Sequence, residues 1–136
     1  MKNNNRSLTV YTDGACSGNP GKAGIGIAIY NEEGEKIKEI SKSIGMATNN
    51  IAEYTALLFA LQEGLFLGCR EEITVYTDSE LLCKQIKGEY KVKNDTLRVL
   101  FHIAQHLITG YKTFHIEHIR RELNKTADKL ATASIK

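Results

Sequence analysis

Apolar and polar positions follow two different periods along the chain. Short runs rich in β-branched and aromatic residues predict five strands, at 8–12, 25–30, 36–44, 72–77 and 112–119. Apolar residues spaced three or four apart predict four helices, at 50–67, 79–87, 95–109 and 124–134. The order of these elements, βββαβααβα, indicates an α/β protein built on one sheet of mixed strand direction.

The lengths of the connections set the expected strand directions. Short segments separate the first three strands, which predicts an antiparallel meander. The first segment, DGACSGNPGKAG at 13–24, is rich in glycine and holds the only proline, so it is predicted to be a loop. The fourth strand follows the long helix, which favours parallel pairing with the first strand. Because no linker interrupts the chain, residues 1–136 are expected to form a single domain.

The pentapeptide TVYTD occurs twice, at 9–13 and 74–78, and each copy places an aspartate where a predicted strand ends. If these strands are neighbours, about 4.8 Å apart, the carboxylates of Asp13 and Asp78 come close together at one edge of the sheet. Such charges repel each other, and a divalent cation relieves the repulsion by binding the carboxylate oxygens. The alternative is structural, because Asp-Gly is a common turn dipeptide and Asp78-Ser79 can cap the next helix.

Two further carboxylates lie on predicted helices. Glu53 falls on the stripe that carries Leu57 and Leu61, and a carboxylate facing the core needs a partner or a metal ion. The alternative for Glu53 is a capping box in which Asn50 is the N-cap residue. Asp128, on the last helix, has no distinctive pattern of its own and would by itself be assigned to the solvated face.

Charge and composition narrow the function classes. The chain has 18 basic and 16 acidic residues, so setting the four carboxylates aside leaves 18 basic against 12 acidic, a balance that suits a polyanionic partner. Three cysteines without metal-binding spacing predict reduced thiols in a cytoplasmic protein. No apolar stretch is free enough of charge to span a membrane. Neither the GxxxxGK[ST] nor the GxGxxG nucleotide motif is present.

With these residues in view, the sequence resembles the ribonuclease H type 1 family over nearly its whole length. Five segments carry the resemblance: YTDGACSGNPG (11–21), ATNNIAEYTALLFAL (47–61), YTDSELL (76–82), VKN (92–94) and RELNKTADKLA (121–131). The resemblance implies a ribonuclease H-like five-stranded mixed sheet flanked by helices. In that sheet the first three strands are antiparallel and the fourth is parallel to the first.

The resemblance also implies an activity and a set of site residues. The activity is hydrolysis of the RNA strand of RNA/DNA hybrids, leaving 3′-hydroxyl and 5′-phosphate ends, with two Mg²⁺ or Mn²⁺ ions per site. Asp13 would bridge both ions, Asp128 would help to hold the ion that activates water, and Glu53 and Asp78 would hold the ion at the leaving oxygen. The residues implied or assigned to substrate binding are Cys16, Ser17, Asn19, Thr48, Asn49, Asn50 and Lys93.

Two departures from the family pattern change the expectations. Many relatives carry a basic helix and loop between the two middle helices, where this chain has only GEYKVKN (88–94), and Trp is absent. Weaker and more salt-sensitive substrate binding is expected, with nearby lysines such as Lys93 following the DNA backbone. Many relatives also place a mobile histidine before the last aspartate. Arg121 is predicted to take that catalytic role, with Arg120 and His118 as alternatives.

Three functions follow as competing hypotheses. The first is a metal-dependent endoribonuclease, expected to be a monomer, with RNA/DNA hybrids as its partner and double-stranded RNA as a further candidate. The second is a module that binds nucleic acid with weak or no turnover, motivated by the missing basic extension. The third is a nuclease of the same fold that acts on DNA, such as a junction resolvase.

Overall fold

The computed structural model describes residues 5–136, which form a five-stranded sheet with helices packed against it. The strands are β1 (Ser7–Gly18), β2 (Gly21–Tyr30), β3 (Lys36–Ala47), β4 (Glu72–Thr77) and β5 (Thr113–His118). The helices are α1 (Asn49–Phe66), α2 (Glu80–Ile86), α3 (Asp95–Ile108) and α4 (Lys125–Ala133), and a short 3-10 helix, Arg121–Leu123, precedes α4. Within the described range, no helix is both long enough and apolar enough to cross a membrane.

The strand order in the sheet is β3-β2-β1-β4-β5. Strands β1, β2 and β3 pair antiparallel, whereas β4 pairs parallel to both β1 and β5. The predicted mixed sheet is therefore confirmed, including the antiparallel meander and the parallel pairing of the first and fourth strands. The parallel strands bring the carboxyl ends of β1 and β4 to the same side of the sheet, where ligands of open α/β sheets bind.

The two faces of β2 explain how helices cover the sheet on both sides. Ile25, Ile27 and Ile29 are fully buried in the main core, together with leucines of α1. The alternate residue Gly26 lies against α4, because a Cβ at this position would overlap the backbone of Ala127. Since neighbouring strand residues point to opposite faces, α1 and α4 cover opposite sides of the sheet.

The loop predicted at 13–24 is wrong. β1 continues through Gly18 and β2 begins at Gly21, so these residues form an antiparallel ladder with a tight turn at Asn19 and Pro20. Part of the glycine-rich composition has a packing cause, because Gly14 and Gly24 let α1 and the end of α4 approach the sheet closely, whereas Gly18 and Gly21 form the turn. As a result, Asp13 lies inside β1 and not at its end.

A buried polar chain fixes the segment between α2 and α3. The Tyr54 hydroxyl donates to Gln85 Oε1 at 2.6 Å, and Gln85 Nε2 donates to the Lys91 carbonyl oxygen at 3.2 Å. Both side chains are at most 5% exposed, so the two hydrogen bonds are shielded from water. They link α1 to α2 and hold the lysine-containing loop at 88–94 in a defined position.

Candidate active site

The two TVYTD copies lie side by side in the sheet, each residue opposite its identical partner. Residues 9–12 of β1 pair in parallel with residues 74–77 of β4, and the two tyrosine rings stack with centroids 5.1 Å apart. Asp13 and Asp78 follow the last pair directly. The repeat thus places two carboxylates at the same level on adjacent strands.

The site lies in a notch of the sheet. β4 ends at Thr77, whereas β1 continues for six residues, so β1 loses its neighbour on one side just where Asp13 occurs. Asp13 pairs with Gly26 on the other side and is only 4% exposed. Because it shares a face with Gly26, its side chain lies on the side of the sheet that α4 covers.

Glu53 comes from α1, on the opposite face. The N-cap of α1 is Thr48, whose hydroxyl accepts from the Ile51 N–H at 3.2 Å. The capping box with Asn50 as N-cap is therefore wrong, because Glu53 is the fifth residue of the helix, two residues beyond the position that a capping box requires. Its Oε1 atom is buried and has no hydrogen-bond partner among residues 5–136, which is unusual for a carboxylate oxygen.

Gly14 lets Glu53 reach the notch. A Cβ at this position would lie 2.8 Å from the Glu53 amide nitrogen and 2.7 Å from the Ala52 carbonyl carbon, distances that real side chains do not adopt. Any larger residue would push the first turns of α1 off the sheet. The glycine next to Asp13 is thus required for the two carboxylates to meet.

Asp128 approaches from α4 in a similar way. Its carboxyl group is within hydrogen-bonding reach of Asp13, and the close contact of α4 with the sheet depends on Gly26. Four carboxylates from β1, α1, the end of β4 and α4 therefore converge. Sequence patterns alone predicted Asp13, Glu53 and Asp78 as candidate site residues, whereas Asp128 was predicted only from the family resemblance.

The electrostatics of this cluster are unfavourable without a cation. The pKa of Asp13 is raised to about 8, chiefly by burial and then by the nearby Asp78 and Asp128 carboxyls. Burial, followed by repulsion from Asp13 and Asp78, raises the pKa of Glu53 well above its ordinary value. The Gly14 N–H lowers the pKa of Asp13 and Glu53, but it does not outweigh these effects.

The donor set fits a hard divalent cation. Asp13, Glu53 and Asp78 each offer one carboxylate oxygen, and these three atoms lie within 4.8 Å of one another. Oxygen-only ligands are those that Mg²⁺ and Mn²⁺ bind. A cation would also give the buried Glu53 Oε1 atom a partner and would remove the repulsion that raises the two pKa values.

Six of the residues predicted to bind substrate lie on two adjoining segments, the end of β1 with its turn and the start of α1. They are Cys16, Ser17, Asn19, Thr48, Asn49 and Asn50. Asn19 Oδ1 accepts from the Asn49 N–H at 2.9 Å, and the Cys16 thiol donates to the Ala47 carbonyl at 3.0 Å. These bonds tie the turn to the helix N-terminus, four residues before Glu53.

The remaining predicted residues are exposed. Lys93 lies in the loop between α2 and α3, where its carbonyl accepts from the Arg98 guanidinium at 3.1 Å. Arg121 begins the short 3-10 helix, Arg120 pairs with Glu122, and His118 ends β5. Lys93 and Arg121 stay predictions as site residues.

One residue of the site has no counterpart in the sequence predictions. Asn124, 1% exposed, donates through Nδ2 to Asp78 Oδ2 at 3.3 Å. It was expected only as the first residue of the last helix. The signal that could have drawn attention to it is the spacing of four to Asp128, which places both residues on one side of the helix start.

We expect Gly26→Ala to weaken divalent-cation binding as well as the fold. The new methyl group would displace α4 and Asp128, and such overpacking lowers the free energy of unfolding by about 1–3 kcal/mol. Urea unfolding and calorimetric titration with Mn²⁺ would measure both effects. Gly34→Ala is the control, because Gly34 has φ +80° and no neighbour within 4 Å of an added Cβ. That variant strains only the turn between β2 and β3 and leaves the contact of α4 with Gly26 unchanged. Equal Mn²⁺ affinity in the two variants would contradict the expectation.

Comparison with known proteins agrees with this geometry. The Reverse transcriptase-like family profile matches residues 11–134. A Ribonuclease HI of Halobacterium salinarum is 38% identical over 125 residues, which cover 92% of this chain and 62% of the relative. A Ribonuclease H of Chlorobium phaeobacteroides is 36% identical over 148 residues, covering 96% of this chain and 97% of the relative. The chain thus spans about three fifths of the halobacterial protein and nearly all of the other.

Solved structures show the same fold. The N-terminal RNase H domain of Rv2228c from Mycobacterium tuberculosis superposes with a TM-score of 0.91 at 34% identity, covering 96% of this chain and 99% of that one. LC11-RNase H1, solved in complex with an RNA/DNA hybrid, gives a TM-score of 0.89 at 41% identity, covering 94% and 96%. Fold and carboxylate cluster together define a ribonuclease H-like class of protein. The chain belongs to the ribonuclease H family, and the neighbours named RNase H1 are type 1 members.

Proposed function

We propose that this protein is an endonuclease that hydrolyses the RNA strand of RNA/DNA hybrids with two Mg²⁺ or Mn²⁺ ions. The observation that carries the proposal is the convergence of Asp13, Glu53 and Asp78, with Asp128 beside them, in a notch at the carboxyl end of β4. Membership of the ribonuclease H family and the hybrid bound by LC11-RNase H1 support the choice of substrate.

The proposed reaction leaves a 3′-hydroxyl and a 5′-phosphate. A water oxygen forms a bond to phosphorus, the bond from phosphorus to the 3′ oxygen breaks, and a proton reaches that oxygen. Bound divalent cations supply an activated water and stabilise the charge on the leaving oxygen. Asp13 would contribute to holding both ions, Asp128 would help to hold the ion that activates water, and Glu53 and Asp78 would hold the ion at the leaving oxygen.

The polar segments beside the site are proposed to bind the RNA strand. Asn19, Asn49 and Asn50 adjoin the N-terminus of α1, where backbone N–H groups and the helix dipole favour phosphate. Backbone groups near Cys16 and Ser17, with Glu53, are proposed to contact the 2′-hydroxyl that distinguishes RNA from DNA. Thr48 caps α1 and so keeps this surface in place. Arg121 is proposed to assist at the scissile phosphate or in product release.

A substrate panel tests the proposal. Labelled RNA/DNA hybrid, double-stranded RNA, double-stranded DNA and a DNA junction would each be incubated with Mg²⁺ or Mn²⁺ and resolved on sequencing gels. The expected result is internal cleavage of the RNA strand of the hybrid. Hybrid binding without cleavage in either metal would identify a binding module instead, and cutting of the junction alone would identify a DNA nuclease. Activity on double-stranded RNA is proposed only as a secondary property.

We expect Lys93→Gln to weaken hybrid binding in a salt-dependent way. Lys93 is exposed on a loop whose backbone is held in place by the Gln85 and Arg98 hydrogen bonds. Loss of one phosphate contact lowers the slope of log K against log salt by about 1. Filter binding of the hybrid from low to moderate salt, in Ca²⁺ to prevent cleavage, would measure the slope. Lys112→Gln is the control, because Lys112 lies beside Glu71 just before β5, at the end of the parallel strands away from Asp78. Equal slopes would contradict a phosphate contact.

The cellular form of the protein is also a proposal. We propose a cytoplasmic monomer in which residues 1–136 form a single domain. The three cysteines, Cys16, Cys69 and Cys83, are free thiols, as is usual in a reducing compartment. One sheet with both of its faces packed by helices supports a single folding unit. Size-exclusion chromatography with light scattering tests the monomer.

A further inference from the structure

Asn124 connects three parts of the site through a single buried side chain and its backbone. Its Nδ2 group donates to the Thr12 carbonyl at 2.9 Å and to Asp78 Oδ2 at 3.3 Å. Its own carbonyl oxygen accepts from the Asp128 N–H at 3.0 Å. Thr12 immediately precedes Asp13, so Asn124 contacts Asp78 directly and holds the backbone next to two other carboxylates.

The position of Asn124 in the chain predicts a different role. It is the N-cap residue of α4, where an asparagine side chain normally accepts from a backbone N–H of the first turn. Asn94 does this at the start of α3, where its Oδ1 accepts from the Leu97 N–H at 2.9 Å. Asn124 makes no side-chain cap bond. Forgoing a cap lowers stability by about 1 kcal/mol, so helix stability does not explain this orientation.

The oxygen of the Asn124 side-chain amide also lacks a hydrogen-bond partner among the described residues. This Oδ1 atom is buried, although a buried polar atom without a partner is destabilising. A residue that served only packing would not need this polar atom at a position that is 1% exposed. The presence of an asparagine here is therefore explained by its Nδ2 group, which donates to Asp78 and to the backbone of β1.

We infer that Asn124 is a positioning residue that orients the Asp78 carboxylate for the cation. The amide donates to one carboxylate oxygen and leaves the other oxygen, and the remaining lone pairs, available as ligands. A neutral donor does this without adding a positive charge that would compete with a cation. Burial fixes the amide, so the Asp78 rotamer is set before a cation arrives, as outer-shell partners do in metal sites. This inference rests on the cation site of the proposed function and not on the choice of substrate.

The test compares Asn124→Ala and Asn124→Leu with the wild type. Leucine has a similar volume and removes the unsatisfied oxygen, so Asn124→Leu is expected to remain folded. Both variants should bind Mn²⁺ about 10- to 100-fold more weakly in calorimetry without nucleic acid, and kcat should fall by a similar factor. KM for the hybrid should change less than about twofold, because the substrate surface is not touched. Asn31→Ala is the control, since its amide only braces the β2–β3 turn.

The opposite result would be unambiguous. If both Asn124 variants bind Mn²⁺ as tightly as Asn31→Ala and keep wild-type kcat, Asn124 has only a structural role. If the wild type does not cleave hybrids but the variants lose Mn²⁺ affinity, the proposed function fails while this inference stands. A second measurement keeps Asn124 and so does not depend on the folding of its variants. Titration of the wild type with Mg²⁺, and separately the substitution Asp78→Asn, should each shift the side-chain amide NMR signals of Asn124. Signals that move no more than those of Asn31 would overturn the inference.

Discussion

Asp13→Asn is expected to lower kcat for cleavage of the hybrid roughly a thousand-fold or more, which corresponds to about 4 kcal/mol of activation free energy. Asp13 is the central carboxylate: its oxygen lies within 4.8 Å of those of Glu53 and Asp78, and Asp128 is within hydrogen-bonding reach. An amide has the same shape but offers one weaker ligand oxygen and no charge. The loss should therefore be in catalysis and metal binding, and the fold should remain intact.

The chain contains a matched control for this substitution. Of its four aspartates, only Asp95 lies outside the cluster, and its side chain is 95% exposed at the start of α3 beside Arg98. Asp95→Asn should keep wild-type kcat. A gel assay on end-labelled hybrid in Mg²⁺ and Mn²⁺, with circular dichroism of each variant, checks the prediction. Cleavage by folded Asp13→Asn within tenfold of the wild type would reject the proposed mechanism.

The proximity of Asp13 and Asp78 could be predicted because the same pentapeptide, TVYTD, occurs twice in the sequence. Two TVYTD copies on parallel neighbours must place Asp13 and Asp78 at one level once the strands align, and the register bears this out. Glu53 could be predicted because a charged residue on an apolar helical stripe needs a reason. Asp128 could not, because its helix is short and its position is set by how closely α4 packs on Gly26, which is a tertiary contact.

The failures share one physical cause. Glycine, asparagine and proline at 13–24 are typical of a loop, but Gly14 and Gly24 are needed because α1 and the end of α4 approach the sheet closely on opposite faces. Asn124 precedes a helix and so indicates a cap, but its side chain turns instead to Asp78. In both cases tertiary packing at the site overrides the local preference, as is expected where function sets the geometry. Local sequence preferences therefore predict the strands and helices, but they fail at the residues that form the site.

Without divalent cations, the free energy of unfolding of this protein is expected to fall as pH rises from about 5 to about 8. Asp13 has a folded-state pKa of about 8, and the pKa of Glu53 is also raised. Between their ordinary values and these raised values, the folded state binds more protons than the unfolded state. The stabilisation is therefore complete at low pH and is lost as pH passes the folded pKa, by about 1.4 kcal/mol per pH unit for each proton of difference.

Mg²⁺ or Mn²⁺ should reverse this trend, because cations and protons compete for the same oxygens. A cation that binds only the folded state stabilises it by RT ln(1 + [L]/Kd), so the rise in Tm should be larger at pH 8 than at pH 5.5. Calorimetric melting at fixed ionic strength, with Na⁺ replacing the divalent salt, measures the effect. Asp13→Asn removes the main titrating carboxylate and should show a shallower pH dependence and little gain from Mg²⁺, whereas Asp95→Asn should match the wild type. Identical pH and Mg²⁺ profiles in the wild type and Asp13→Asn would mean that the carboxylate cluster does not hold the cation.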